Sequence, residues 1–537
     1  MPTGIRGFDE LLGGGLPRGR TTLVVGGPGC GKTVFALQTL INGVRDGEPG
    51  VFVAFEEPPD RIIANAASFG WSLDSIPRKD LCILDARLSN AVVVGGEFDL
   101  LGLFAAIEAK VAQLGARRIV LDGLDVLLSS MNDPAAERRE LYRLGDWLSE
   151  QKLTSLITCK MQEDGSPSTR ESSLQFIVDC VVAIQHRLVG SLPLRLLRVT
   201  KCRGLAHATG EVPFAITATG IKLVSYGARE DQYVSSQRVS SGLAGLDTML
   251  AGGFFKGTTV LVSGSPGTAK STVAGAFIEA ALERGEPSLY VTFDEPAAHV
   301  VRNMASVSIE LAPFVKSGLL QIISERNVEK SPVEHVARIV EVIEAHNVQS
   351  LVIDPVSSLT AFGSAPIAEE LVLRLLDYAR SRGITVLCTT MLAGGNGLLE
   401  ETGTGVSTIP DTWIHLSYVI RNGERNRVLT IVKSRGIAHS KQVRELVVSD
   451  SGVTLRKPYA GSGDLLMGTM RRQKEKQQHL NERGVATKRR DAKFALAETN
   501  VRIANIKREA ARHETVLQQT EDDATPPPKR RGRSGAR

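Results

Sequence analysis

Short runs of β-branched and other apolar residues alternate along this chain with longer amphipathic stretches. That is the pattern of an α/β fold, a mostly parallel sheet covered by helices. In the amino-terminal half the runs fall at 21–25, 51–55, 81–84, 118–121 and 156–158, and they return at 259–263, 289–293, 319–323, 350–353 and 385–389. Later apolar runs at 176–184, 194–199, 413–419 and 428–432 extend each predicted sheet. Polar and glycine-rich residues break the pattern near 225–238 and 456–463. The spacing therefore predicts a first domain over 1–228, a second over 238–460 and a tail over 461–537.

The two halves superimpose without a gap at a separation of 238 positions. Thr3-Gly-Ile-Arg-Gly7-Phe-Asp9 matches Ser241-Gly-Leu-Ala-Gly245-Leu-Asp247, and Gly14, Gly15 and Gly19 match Gly252, Gly253 and Gly257. A repeat of that length is a domain, too long for a solenoid unit, so the chain is a tandem duplication of one fold. In the tail, Leu496, Thr499, Ile503, Ile506, Ala510, His513 and Leu517 alternate steps of three and four, a short heptad-like seam on a predicted helix. The Pro- and Arg-rich end from Thr525 onward is predicted to be disordered.

Charge changes this picture. The net charge is +5, but from Gly468 onward 18 Lys and Arg face 9 Asp and Glu, so the duplicated body carries about −4. A mildly acidic body with 5% aromatics argues against nucleic-acid binding by the body and confines non-specific contact to the basic tail. No run of about 18 apolar residues exists to cross a membrane, and Met1-Pro-Thr-Gly has no signal-peptide pattern. Six cysteines, Cys30, Cys82, Cys159, Cys180, Cys202 and Cys388, show no CxxC spacing. A soluble cytoplasmic protein is expected.

Each half carries a phosphate-binding loop between a strand and a helix. The first, Gly26-Gly-Pro-Gly29-Cys-Gly31-Lys32-Thr33, is a full GxxxxGK[ST] match. Its backbone N–H groups can curl round the phosphates of ATP, with Lys32 at the β/γ oxygens and the Thr33 hydroxyl on Mg²⁺. The second, Gly264-Ser-Pro-Gly267-Thr-Ala269-Lys270-Ser271, has Ala269 where the motif has Gly. That methyl crowds the turn if the position needs positive φ, and is harmless if it already opens the helix.

Phe55-Glu56-Glu57-Pro58 and Phe293-Asp294-Glu295-Pro296 put acidic pairs at the carboxyl end of a strand, where ligands bind in such sheets. A carboxylate there can accept a proton from water or a hydroxyl, and it would equally favour the dipole of a following helix. Asp122 and Asp354 end apolar strands and suit the Walker B hold on Mg²⁺, through water. Lys201-Cys-Arg203-Gly204-Leu-Ala-His207 recurs as Lys433-Ser-Arg435-Gly436-Ile-Ala-His439, and both this set and the Asp pair lie 232 positions apart. Such fixed positive charge can meet a γ-phosphate as arginine fingers do.

Taken together these motifs resemble the KaiC family of RecA-type ATPases, over roughly 2–457. The resemblance implies two RecA-like rings stacked in a homohexamer with ATP at subunit interfaces. It implies that Glu56 and Glu57 activate water in the first ring and that Lys201, Arg203 and His207 reach a neighbour's nucleotide. Lys433, Arg435 and His439 would do so in the second ring, where Asp294 and Glu295 occupy the proton-acceptor position. It further implies autophosphorylation on Ser407 and Thr408, a signalling or timing role, and small regulatory proteins as docking partners. Asp294 stands where the clock protein has Glu, Gly403 where it has Asp and Pro410 where it has Thr. The chain starts almost on its first motif, which predicts a missing edge element or a start placed too late. The tail seam would let six tails pair two rings. The competing function is a RecA-, RadA- or DnaB-type nucleic-acid-dependent ATPase, and a third is a scaffold in which ATP is only structural.

Overall fold

The computed structural model of the chain describes residues 1–87, 100–129, 131, 134–161, 174–189, 192–224, 234–325, 331–360, 365–391, 410–421, 423–457, 459–461 and 464–522. These form two compact units, Met1–Lys457 and Pro458–Arg537.

The first half of the body is built on β1 (Thr21–Gly26), β2 (Gly50–Ala54), β3 (Leu81–Asp85), β4 (Arg118–Asp122), β5 (Thr154–Lys160), β6 (Cys180–Val189), β7 (Leu192–Cys202), β8 (Val212–Thr217) and β9 (Gly220–Leu223). Their order in the sheet is β3-β2-β4-β5-β1-β6-β7-β8-β9. Strands from β3 across to β6 run parallel, and β6 to β9 continue antiparallel. After a small ribbon of β10 (Arg238–Val239) and β11 (Phe254–Phe255), the second half repeats the plan. It comprises β12 (Thr259–Gly264), β13 (Ser288–Thr292), β14 (Leu320–Ser324), β15 (Ser350–Asp354), β16 (Thr385–Met391), β17 (Thr412–Arg421), β18 (Glu424–Ser434), β19 (Arg444–Ser449) and β20 (Gly452–Arg456). The order is again β14-β13-β15-β16-β12-β17-β18-β19-β20.

The apolar runs mark these strands because helices cover both faces, leaving β2 and β4 buried at every residue. Phe35, Leu40 and Phe52 belong to the core on one face, and Ile107, Leu128, Leu144 and Val53 to that on the other. The run at 176–184 is split. Leu174 and Val178 are buried at a helical turn, Phe176 is exposed, and the strand begins only at Cys180. A short apolar run cannot by itself separate a strand from one helical turn. The hairpins β8–β9 and β19–β20 were not predicted from the hydrophobic pattern: β8 and β9 are mostly buried but short and interrupted by Pro213 and Lys222, and β19 and β20 are half-exposed with polar residues among the apolar ones.

One core continues from the first half into the second. Leu194, Leu196, Ala215 and Val224 pack with residues of helices Pro332–Ala345 and Ala365–Ser381, such as Val336, Val340 and Leu375. Arg6 and Lys222 make ion pairs with Glu344 and Glu341 across the same boundary, and Arg374 Nη1 donates to the Val224 carbonyl at 3.1 Å.

In the second unit, helix Gly468–Asp522 is 55 residues long, well beyond the heptad seam. Ala, Glu, Lys, Arg and Gln dominate its sequence, and their intrinsic propensity carries the helix past the seam in both directions. Leu496, Ile503, Ile506 and Leu517 are exposed along it.

The two phosphate loops enter their helices with the same backbone but different side chains. Gly31 caps helix Lys32–Arg45 at φ 107°, and Ala269 caps helix Lys270–Glu283 at φ 76° and ψ 32°. Ala269 is therefore left-handed, a conformation costing a non-glycine residue about 1–2 kcal/mol. A Cβ on Gly31 would lie 2.9 Å from Ile216 Cδ1 and 3.8 Å from Ile221 Cδ1. At the matching positions, 232 residues on, the second half has Val448 and Val453. Two isoleucines shortened to valines make the room that the Ala269 methyl occupies.

Gly31→Ala is expected to destabilise the body by at least about 2 kcal/mol, combining left-handed strain with overpacking. Adding Ile216→Val should recover the overpacking part. Ala269→Gly should stabilise by up to about 1 kcal/mol, since relief of strain exceeds the roughly 0.4–1 kcal/mol entropic cost of the new glycine. Urea unfolding of the four proteins checks this. Failure of Ile216→Val to rescue Gly31→Ala would show that the two positions are not coupled.

Candidate active sites

Both phosphate loops leave the carboxyl end of the central strand of their sheet. In the first, Gly29 and Gly31 take positive φ, which turns the loop and delivers Lys32 and Thr33 to the first turn of the helix. Lys32 Nζ donates to the carbonyls of Gly26 and Gly27, both at 2.9 Å. Lys270 Nζ does the same with Gly264 and Ser265, at 2.9 and 3.0 Å. Each ammonium is thus held over the mouth of its loop. Burial lowers the Lys270 pKa against the opposing pull of Asp354 and Asp294.

Asp122, at the end of β4, is 5% exposed and accepts from the hydroxyls of Thr33 (3.2 and 3.1 Å) and Thr158 (2.7 Å). Burial raises its pKa, the two hydroxyl bonds oppose that shift, and the Glu56 charge adds to it. Asp354 holds the same place at the end of β15, accepting from Tyr290 at 2.7 Å and from Thr389. A buried carboxylate beside a hydroxyl, with anionic neighbours, is a hard-oxygen set that fits Mg²⁺. Among the described residues no cluster of three or more His, Cys, Asp or Glu could hold a metal by itself. Ser271 is exposed on the loop helix, and no hydrogen bond between it and Asp354 is seen.

The acidic pairs divide into two positions. Glu57 accepts from Asn65 at 3.3 Å, and Glu295 accepts from Asn303 at 2.8 Å, so the second acid of each pair is tied to the helix that follows. The first acid lies toward the phosphate loop. Glu56 sits over Gly123, whose missing side chain leaves a Cβ position only 3.2 Å from Glu56 Cβ. It forms an ion pair with Lys160 at 2.6 Å, at the end of β5. Asp294 is exposed and accepts from Ser358 at 3.4 Å, and burial, then Asp354, raises its pKa. Met391 holds the β16 place that matches Lys160, so no lysine answers Asp294 there.

A cavity of 360 Å³ opens in the second half, lined by Lys270, Ser271, Tyr290, Asp294, Asp354 and Arg427 among others. Arg427 on β18 crosses to the loop, its Nε 3.0 Å from the Gly267 carbonyl. The sequence reading missed Arg427 and its counterpart Arg195. It also missed Thr158 with Thr389, and Asn65 with Asn303. Asn65 and Asn303 lie 238 apart and Arg195 and Arg427 lie 232 apart, at the offsets of the repeat, whereas Thr158 and Thr389 lie 231 apart, one residue off it. Lys160 has no such signal.

Lys201, Arg203 and His207 lie elsewhere. The register pairs Thr22 with Cys180 and Cys180 with Cys202, whereas Gly26 pairs with Ile184. The basic element is therefore at the amino end of β1 and the phosphate loop at its carboxyl end, roughly 13 Å of strand away. The second half is arranged alike, with Val260, Thr412 and Ser434 in register at the far end from Gly264. Lys201 Nζ donates to the Gln175 and Val178 carbonyls at 2.5 and 2.7 Å, and Arg203 Nη2 to that of Phe176 at 3.2 Å. Burial, then the neighbouring arginine, lowers the pKa of Lys201 and of Lys433. Arg435 is 4.0 Å from Asp411, and the His207 and His439 rings sit 3.4 Å from the carbonyls of Leu205 and Ile437. Ser407 and Thr408 lie outside the described residues.

This geometry can be set beside known proteins. The KaiC ATPase family model matches residues 1–227 and again residues 239–459. Over 497 residues the chain is 38% identical to circadian clock protein KaiC2 of Synechocystis sp., covering 91% of this chain and 86% of that one. It is 36% identical to the circadian clock oscillator protein KaiC of Synechococcus elongatus over 474 residues, 87% of this chain and 91% of the other. Two family matches and identity across most of both chains agree with the duplicated sheets and loops: the chain belongs to the KaiC family of ATPases, with two RecA-like domains in tandem.

Proposed function

We propose that the chain assembles into a homohexameric ring, hydrolyses Mg-ATP slowly in its first domain and phosphorylates its own Ser407 or Thr408 in its second. Its role is that of a signalling or timing hub on which small regulatory proteins dock. The observation that carries this reading is the separation of each phosphate loop from its own Lys-x-Arg element by the length of the central strand. Cations that cannot reach their own γ-phosphate are suited to a neighbour's, and such head-to-tail contacts close into rings. Pairing of two rings through the seam of helix Gly468–Asp522 belongs to the same proposal.

In each site Lys32 or Lys270 binds the β/γ oxygens, and Thr33 with Asp122, or Ser271 with Asp354, would hold Mg²⁺. The cation, when bound, neutralises charge that develops on the transferred phosphoryl group. Glu56 accepts a proton from attacking water, a task for which Lys160 competes through its ion pair, consistent with slow turnover. Asp294 accepts the proton of the hydroxyl that receives phosphate. Glu57 and Glu295 orient the helices behind these bases.

Trans completion is tested by mixing two inactive proteins, both carrying Lys270→Ala so that only the first domain turns over. Lys32→Ala lacks the phosphate loop function, and Lys201→Ala/Arg203→Ala lacks the donated cations. Assembled together at equal amounts, they should regain about a quarter of parental hydrolysis, because about one interface in four joins the two intact halves. Light scattering in saturating Mg-ATP should show hexamers. Monomers, or a mixture as inactive as its parts, would overturn the reading.

Glu56→Gln in the Lys270→Ala background should retain nucleotide and lose at least about 100-fold in hydrolysis, the range of a general base. Unchanged hydrolysis would remove Glu56 from that role.

For the second domain, Asp294→Asn should suppress phosphate incorporation at Ser407 and Thr408 and Asp294→Glu should raise it, read by phosphopeptide mass spectrometry after incubation with Mg-ATP. Incorporation untouched by Asn would show that another group takes the proton.

A further inference from the structure

Cys180 and Cys202 stand directly opposite each other where β6 begins and β7 ends. Both are free thiols, 0% and 8% exposed. Register partners on antiparallel strands point to the same face with Cα atoms roughly 4.5–5.5 Å apart, inside the span that a disulfide bridges. The repeat supplies an independent measure of how close the side chains come. The matching residues in the second half, Thr412 and Ser434, are opposite each other on β17 and β18, equally buried, and their hydroxyls are hydrogen-bonded at 2.8 Å. What is a hydrogen-bonded hydroxyl pair in one domain is a dithiol in the other.

We propose that Cys180 and Cys202 are an oxidative modification site, a reversible disulfide that holds the Lys201 and Arg203 side chains on their own subunit. The second part rests on the reading that those cations serve a neighbour. Cys202 lies between them in sequence. Lys201 and Arg203 now bond to the carbonyls of Gln175, Phe176 and Val178, and the Arg203 amide donates to Asp179 at 2.9 Å. All of these partners directly precede Cys180. To meet a neighbour's nucleotide the cations must leave those carbonyls. A covalent tie from Cys180 to Cys202 fastens the two segments together and opposes that departure.

The chemistry runs through Cys202, the only one of the pair with any surface. Burial first, and the adjoining Cys202 thiol second, push the Cys180 thiol well above its usual range, so it stays protonated. A small peroxide is the oxidant that 8% exposure admits. The Cys202 thiolate attacks one oxygen of hydrogen peroxide, giving the sulfenic acid and, with a proton, water. The Cys180 thiol then condenses with the sulfenic acid, forming the S–S bond and releasing a second water. Two electrons pass from the thiol pair to peroxide. An external dithiol returns both thiols by exchange.

The test uses the full chain, treated with hydrogen peroxide and then with dithiothreitol, beside a Cys180→Thr/Cys202→Ser variant that copies the second-domain pair. Unreduced peptide mapping should find the peptides of Cys180 and Cys202 joined, lighter by two hydrogens, and titratable thiols should fall from six to four. First-domain hydrolysis of the parent should drop several-fold and return on reduction, while the variant, active from the outset, ignores peroxide. Six thiols after oxidation, or a link between other cysteines, overturns the site. A disulfide that forms while parent and variant respond alike overturns the restraint on Lys201 and Arg203. A reduced parent without hydrolysis would count against the nucleotide-site reading, and the joined peptide would still decide the disulfide.

Discussion

A parallel strand has two chemically different ends, and in each half of this chain the central strand, β1 or β12, sorts the functional groups between them. At the carboxyl end stand the phosphate loop, the buried aspartate and the acidic pair, because parallel neighbours deliver their carboxyl ends to the same edge. At the amino end stands the Lys-x-Arg element, because β6 runs parallel to β1 and the antiparallel β7 returns to its start. Neither set can cross the sheet. The dependence on a neighbouring subunit that we propose would follow from strand direction and need no special surface.

The duplication turns every pair of matched positions into an internal comparison. Some substitutions compensate in volume, as Gly31 with Ile216 and Ile221 against Ala269 with Val448 and Val453. Others change chemistry. Glu56 is tied to Lys160, whereas Asp294 is shorter and meets a hydroxyl, with Met391 in the lysine's place. Cys180 and Cys202 replace a pair of hydroxyls. Lys32 and Asp122 recur as Lys270 and Asp354, whereas Gly31, Thr33 and Glu56 become Ala269, Ser271 and Asp294. On the proposed function, one scaffold would in this way hold a site that activates water and a site that activates a side-chain hydroxyl.

The phosphate loops were legible in the sequence because they are local: glycines at set spacing, then Lys and Thr or Ser, need no distant partner to be recognised. The parallel strands were legible because burial on both faces puts an apolar run at the centre of each, such as Ile119-Val-Leu121 in β4 and Leu351-Val-Ile353 in β15. The hairpins β8–β9 and β19–β20 were not, since the first is short and interrupted by Pro213 and Lys222 and the second is half-exposed, and the run at 176–184 misled because a helical turn with buried ends looks the same.

By itself, then, the sequence determined the duplication, the α/β class, the loops and the residue types of each site, all properties of short spacing or of simple repetition. Only the tertiary structure decided which acid of each pair faces the loop, that Lys160 holds Glu56, that Arg427 reaches Gly267, and that the basic elements lie at the wrong end for their own site. It also decided that Ala269 is left-handed and that Cys180 meets Cys202. These facts depend on strand register and on which end of a strand a segment returns to. Both are set by long-range packing, which no local window of the chain contains.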